Sequence, residues 1–297
     1  MTKPIRSFLF VPADSERKIE KALQSAADAL VLDLEDSVMP SRKSEAREAL
    51  RKLLQSGNIA YGGALWVRIN PLTSGLAVED LCAVVGPALA GILLPKCTGP
   101  ADVLTVSNYI DALTTARGMK DDGIGILAVV TETAASPFAL GDYRHHHMPR
   151  LWGMTWGAED LSSAIGAATN RSPTGQWAFT YQVVRSQCLL AAKAAGVNCV
   201  ETLYADFKDS EGLYTSCVEA RREGFSSRFA IHPAQVDGIN AAFMPGPDEV
   251  SFAERVVAAF DASNGAGTIG LDGQMLDIPH LVQARNVLAL NASFAAA

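Results

Sequence analysis

The chain has 297 residues, 48% hydrophobic and 19% charged, the balance of a globular protein that can bury a large core. A formal net charge of -7 leaves no broad basic face, so nucleic acid is excluded as an expected partner and any positive patch must be local and aimed at a small anion. No stretch approaches the roughly 18 apolar residues of a membrane span, and the apolar run in MTKPIRSFLF is too short for a signal peptide. A cytoplasmic protein with no membrane partner is expected. The cysteines, Cys82, Cys97, Cys188, Cys199 and Cys217, are odd in number and never spaced as CxxC, which predicts reduced, buried thiols.

In chain order, SFLFVP, ALVLDLED, ALWVRIN, GILLPK, IGILAVVTE, LWGMTWGAED, NCVETLY and RFAIHP read as short buried strands closed by polar residues. Amphipathic segments lie between them. In SRKSEAREALRKLLQSG, Ala46, Ala49, Leu50, Leu53 and Leu54 are predicted on one helix face, with Gly57 as the stop. Strand then helix, repeated about eight times, predicts an α/β protein with a parallel (β/α)8 TIM barrel. A doubly wound open sheet is the second reading, but no GxGxxG follows the first strand and no GxxxxGK[ST] occurs. Residues 1–263 are assigned to the barrel and 264–297 to a C-terminal extension that the barrel does not need.

A barrel should carry its chemistry at the C-terminal ends of its strands. Those ends hold Asp14 with Arg17, Glu35 with Asp36, Arg68 with Asn70, Lys96, Glu132, Glu159 with Asp160, Glu201 with Asp206, and His232. Taken singly, Asp14 and Asp36 read as helix caps, Glu201 as a solvated edge, and His232 before Pro233 as a turn residue. Taken together they line a mouth with carboxylates and a few cations. Clustered acids call for a hard divalent cation such as Mg2+, which takes oxygen ligands and keeps waters for substrate exchange. The run His145 to His147 sits in a polar loop and is read as solvated.

RSFLFVPADSERKIEKA, LVLDLEDSV, WVRINP, LLPK, ETA, WGAEDLS, FAIHP and GQMLDIPH, in that order, resemble the citrate lyase beta-subunit-like members of the HpcH/HpaI aldolase family. The match runs over nearly the whole chain. The resemblance implies a Mg2+-dependent carbon–carbon lyase that cleaves a hydroxyacyl thioester of the citryl-, malyl- or citramalyl-CoA type to an acyl thioester such as acetyl-CoA and an oxo acid. Three other readings stay open: the beta subunit of a citrate lyase complex acting on a carrier-protein thioester, a pyruvate-enolate aldolase, and a non-catalytic binding protein on the same barrel.

The same resemblance implies roles. Glu132 of TETA and Asp160 of GAEDL become the direct metal ligands, and the backbone of Gly157, Ala158 and Glu159 receives the oxo-acid carboxylate. Arg68 of RIN suits that carboxylate, because a guanidinium offers a planar fork of donors and keeps its charge. Glu35 and Asp36 are expected to hold metal-bound waters or to orient Arg68, and Arg17 and Lys96 to meet the phosphates of the thioester carrier. Asp277 of GQMLDIPH corresponds to a family residue placed at the enolate carbon. In the family its segment is a lid delivered by a neighbouring subunit, which implies a homo-oligomer, often a trimer.

Overall fold

Short runs of Val, Ile, Leu and Ala, apolar on both faces, suit strands that are covered on one side by helices and on the other by one another. The structure, a computed structural model, describes residues 4–55, 59–120, 123–263 and 265–295. Among these, the predicted strands form β1 (Ser7–Pro12), β2 (Ala29–Asp33), β3 (Ala64–Arg68), β4 (Gly91–Leu94), β5 (Gly125–Val129), β6 (Leu151–Thr155), β7 (Asn198–Glu201) and β8 (Ser227–Ala230). Each pairs in parallel with the next, and β8 pairs with β1 through Ser7 to Leu9, so the sheet closes into a barrel and the open-sheet alternative fails.

The helices outside are α1 (Glu16–Leu23), α2 (Lys43–Gln55), α3 (Ala77–Val84), α4 (Pro100–Ala116), α5 (Ala158–Ala164), α6 (Phe179–Ala194), α7 (Ser210–Glu223) and α8 (Val236–Ala242). In α2, Ala46, Leu50 and Leu54 are buried and Leu53 half-buried, but Ala49 is exposed. At about 100° per residue, Ala49 lies roughly 100° from the centre of the arc set by the buried residues. The stop expected at Gly57 lies outside the described residues, as does Asn264, the expected start of the extension. Four cysteines are buried as expected; Cys82 is exposed, on the outer side of α3. No helix among the described residues is long and apolar enough to cross a membrane.

The period-2 alternation of strands sorts side chains into two cores. Leu9, Val11, Leu30, Leu32, Val67, Ile92 and Ile126 face the helices. Phe8, Ala29, Val31, Trp66, Leu93, Leu127 and Phe229 fill the barrel. Two residues beyond Val31 and Trp66 on the inward face come Asp33 and Arg68. The apolar filling therefore gives way to charge at the C-terminal ends of β2 and β3.

At the opposite end, Phe8, Trp66 and Trp152 pack edge to face with centroids 5.2 to 5.6 Å apart and close the floor. Beyond α8, helix α9 (Pro247–Ala262), the hairpin β9 (Thr268–Leu271) and β10 (Gln274–Asp277), and α10 (Ile278–Ala295) share a separate core of Ala253, Val256, Phe260, Leu276, Leu281 and Ala284. Helix α9, placed with the barrel by the sequence boundary at 263, thus packs with the extension. Helix α10 runs beneath the floor, where Arg6 lies 4.7 Å from the Phe294 ring and a cavity of about 1440 Å3 separates Leu290 and Phe294 from Trp66 and Trp152. None of the predicted site residues lines this cavity.

The floor depends on a missing side chain. A Cβ on Gly91 would lie 2.2 Å from the Trp66 ring. Gly91→Ala is expected to destabilise the fold by about 2 to 3 kcal/mol through overpacking, read as a lower urea midpoint; an unchanged midpoint would show that the floor repacks freely.

Candidate active site

The mouth is built around a buried ion pair between adjacent strands. Asp33, 1% exposed, ends β2 and accepts from Arg68 of β3 at both oxygens, from Nε and Nη2 at 2.7 Å each. Its oxygens also accept the N–H groups of Glu35 at 2.9 Å and Ser37 at 3.1 Å, which turns the chain so that Glu35 and Asp36 follow the strand around the mouth. The Lys43 ammonium fixes the same turn, donating to the carbonyls of Leu34 and Glu35 and to Asn70 Oδ1. Asn70 serves this clamp, and its amide also donates to buried Asp80 at 2.6 Å.

Arg68 reaches further. Its Nη1 lies 3.0 Å from Glu35 Oε2 and 3.9 Å from Asp36, and its guanidinium carbon lies 4.9 Å from the Phe10 ring centroid. A guanidinium has five N–H donors, and two are committed to Asp33, so donors remain for a bound carboxylate. Glu35 Oε2, buried, has no hydrogen-bond partner.

Lys96 follows β4 with φ +52, in the left-handed region. Its N–H donates to Glu132 Oε2 at 2.6 Å, and its ammonium contacts Glu35 Oε1 and lies 3.4 Å from Asp160 Oδ1 and 3.7 Å from Asp36 Oδ1. It thus points into the acidic cluster. Glu132 stands just beyond β5, buried, and Gly157 stands beyond β6, where a Cβ would lie 2.7 Å from Glu132 Cγ. Glycine lets the main chain of β6 close on the acid of β5. The Gly157 N–H donates to Thr131 Oγ1 at 3.0 Å, whereas the N–H groups of Ala158 and Glu159 belong to the first turn of α5, where a helix supplies no acceptor. Asp160 lies in that same turn, one-third exposed, and the Glu159 carboxylate accepts from Asn170 at 2.8 Å.

The structure therefore brings together Glu35, Asp36, Arg68, Lys96, Glu132, Gly157 and Asp160, and adds Asp33 and Lys43, which sequence reasoning missed. Asp33 was legible in principle, since it lies two residues before Glu35 at the inward end of LVLD. Arg17 is exposed on α1, and Asp14 bonds Arg42 at 2.9 Å. Glu201 is not a solvated edge: it is buried on the outward side of β7, accepting from Trp156 Nε1 at 2.6 Å and from Arg185 at 2.7 Å. His232 caps the following turn by accepting from the Ala234 N–H and stacks on Phe207, and His145 to His147 are exposed. Asp277 ends β10, with its Oδ1 2.5 Å from His280 Nδ1.

Charge in this mouth is unevenly satisfied. Burial works against the Asp33 carboxylate, but the Arg68 fork outweighs it and holds the group below the usual range. Burial raises Glu35 despite Arg68 and Lys96. Burial, together with the negative charge of Asp160, pushes Glu132 up to about 8 against the Lys96 N–H. Both carboxylates meet Lys96, Glu132 at its N–H at 2.6 Å and Asp160 at its ammonium at 3.4 Å. An all-oxygen set of two carboxylates from neighbouring strands fits a hard cation such as Mg2+, with the remaining positions taken by water or substrate. Among the described residues no three His, Cys, Asp or Glu side chains converge as a closed cage.

Glu132 carries a pH signature. A carboxyl at about 8 in the folded chain against an ordinary 4.5 holds its proton more tightly when folded, so its contribution to stability is complete below about pH 4.5 and is lost as pH rises to 8. Glu132→Gln should raise the Tm of the metal-free protein by roughly 5 °C at pH 8 and change it little at pH 5. Equal shifts at both pH values would show that the carboxylate is not desolvated.

With this geometry in hand, comparison with known proteins is consistent in one direction. The chain is 35% identical to a (3S)-malyl-CoA thioesterase of Cereibacter sphaeroides over 99% of this chain and 96% of the relative. It is 31% identical to the mitochondrial citramalyl-CoA lyase of Rattus norvegicus, over 98% of this chain and 87% of the relative. Its fold is similar to the crystal structure of the protein CitE from Mycobacterium tuberculosis in complex with magnesium, acetoacetate and coenzyme A, with a TM-score of 0.81 and 31% identity over 97% of this chain and 98% of that one. The model of the HpcH/HpaI aldolase/citrate lyase family matches residues 6–233, which include all eight barrel strands, and the chain belongs to that family.

Proposed function

We propose that this chain is a Mg2+-dependent carbon–carbon lyase that cleaves a hydroxyacyl-CoA of the citryl, malyl or citramalyl type to an acyl thioester such as acetyl-CoA and an oxo acid. The observation that carries this reading is the pair Glu132 and Asp160, closing adjacent strands beside a guanidinium with donors to spare. Glu132 and Asp160 would hold the ion, and Glu35 and Asp36 its waters. When bound, the ion polarises the substrate's hydroxyl oxygen and the adjacent carboxylate.

The protein's own groups do the rest. Arg68, held by Asp33, binds the carboxylate through its remaining N–H donors, and the N–H groups of Ala158 and Glu159 add to them, with Gly157 allowing the close approach. Arg17, exposed on α1, is the rim cation proposed for the carrier phosphates. As a carboxylate at the mouth takes the hydroxyl proton, the carbon–carbon bond breaks to leave the carbonyl of the oxo acid, and the thioester enolate must take up a proton, for which we assign Asp277 as the donor. In its own chain Asp277 belongs to a hairpin packed with α9 and α10, and α10 leads beneath the floor, which supports the reading that the donor comes from a neighbouring subunit of a homo-oligomer, a trimer in our proposal. The free cysteines suit a reducing compartment, and we place the enzyme in the cytoplasm.

The relatives divide between lyase and thioesterase, and so do the products. Malyl-, citramalyl- and citryl-CoA incubated with the enzyme and Mg2+ should yield acetyl-CoA and an oxo acid by mass spectrometry; free CoA with the intact hydroxy acid would mean hydrolysis instead. Arg68→Lys should lower kcat/KM by about a hundredfold or more, because an ammonium cannot be held by the Asp33 fork and bind a carboxylate as well. Near-normal turnover would relegate Arg68 to structure.

The shared site has its own test. Arg68→Ala and Asp277→Asn chains should each be inactive alone, yet recover about one intact site in four when co-refolded into a closed cyclic oligomer. Hetero-oligomers seen by native mass spectrometry but without activity would rule out sharing.

A further inference from the structure

Lys96 stands where the acidic mouth most needs a positive charge. Its ammonium contacts Glu35 and lies 3.4 Å from Asp160 and 3.7 Å from Asp36, while its own N–H holds Glu132 at 2.6 Å. One residue can face the acids after β2, β5 and β6 at once because its backbone is in the left-handed region, a conformation that strains a residue with a Cβ. Strain kept at such a position calls for a use. Asp33, Glu35, Asp36, Glu132 and Asp160 share two cations, and these differ in freedom. Arg68 is 15% exposed and pinned by two bonds to Asp33, whereas the Lys96 side chain is 30% exposed, on a flexible four-carbon stem. Only the lysine can leave.

We propose that the Lys96 ammonium is a built-in occupant of the acidic cluster, displaced outward when a divalent cation binds Glu132 and Asp160, so that it sets the metal affinity of the site. The inference rests on those two acids being the metal ligands. An ammonium 3.4 Å from one ligand oxygen competes with an incoming cation for that oxygen and repels it. Once displaced, it stands at the rim, where the phosphates of a thioester carrier can meet it; within the cluster it cannot reach them.

Calorimetric titration of the full chain with Mg2+ tests this. Lys96→Gln keeps the N–H that holds Glu132 and removes only the charge, and should bind Mg2+ about tenfold more tightly. Lys96→Arg, still cationic, should stay near wild type. Asp160→Asn, run alongside, should lose binding. If Asp160→Asn loses binding but Lys96→Gln binds no more tightly than wild type, displacement is overturned while the ligand reading stands. If Asp160→Asn binds like wild type, the ligand reading falls and the inference with it. Reductive methylation of the wild-type protein needs no variant: Mg2+ should increase labelling of Lys96, quantified by peptide mass spectrometry, and equal or lower labelling would overturn the proposal.

Discussion

The fork from Arg68 to Asp33 is the interaction on which the mouth depends. Both groups point into the barrel, where an unpaired charge would be costly, and removing one partner from such a pair typically costs about 3 to 5 kcal/mol. Each is tolerated only with the other. The pairing also serves geometry: Asp33 shapes the turn that carries Glu35 and Asp36, and Arg68 reaches from β3 to both of those acids. Lys43 and Asn70 tie the turn back to the loop after β3. The charged half of the mouth is thus one connected network.

That network is left short of positive charge. Burial raises Glu35 and Glu132 even though cations lie nearby, Arg68 Nη1 at 3.0 Å from Glu35 Oε2 among them. A fold selected for stability alone would not bury acids in this state. Concentrating carboxylates where water is scarce lowers the stability of the metal-free chain and raises the attraction for a cation, so the same desolvation acts in opposite senses on folding and on binding.

The far end of the barrel follows a different physics. Phe8, Trp66 and Trp152 make an apolar floor by aromatic packing, and the extension folds on α9 into a core of its own, with Leu290 and Phe294 of α10 beneath that floor. With the end of α10 beneath the floor, the proposed role of Asp277 and the proposed assembly stand or fall together.

Much of this is legible in the sequence. Unbroken apolar runs of four to six residues separated by amphipathic segments specify strand and helix by their hydrophobic period, and TETA and GAEDLS, each at the end of such a run, mark Glu132 and Asp160. What a sequence cannot convey is which way a side chain faces and what meets it across strands. Asp33 is hidden beside its louder neighbours Glu35 and Asp36, and Glu201 reads as solvated although it is buried against Trp156 and Arg185. Lys96 reads as a rim cation, yet its left-handed backbone turns it inward. The sequence by itself determined the alternation of strands and helices and the acids that follow the strands, because these follow from local period and spacing. Only the tertiary structure decided which acid pairs with Arg68, which cation neutralises the mouth and where the extension lies, because those depend on contacts between residues tens to hundreds of positions apart, and no local pattern records them.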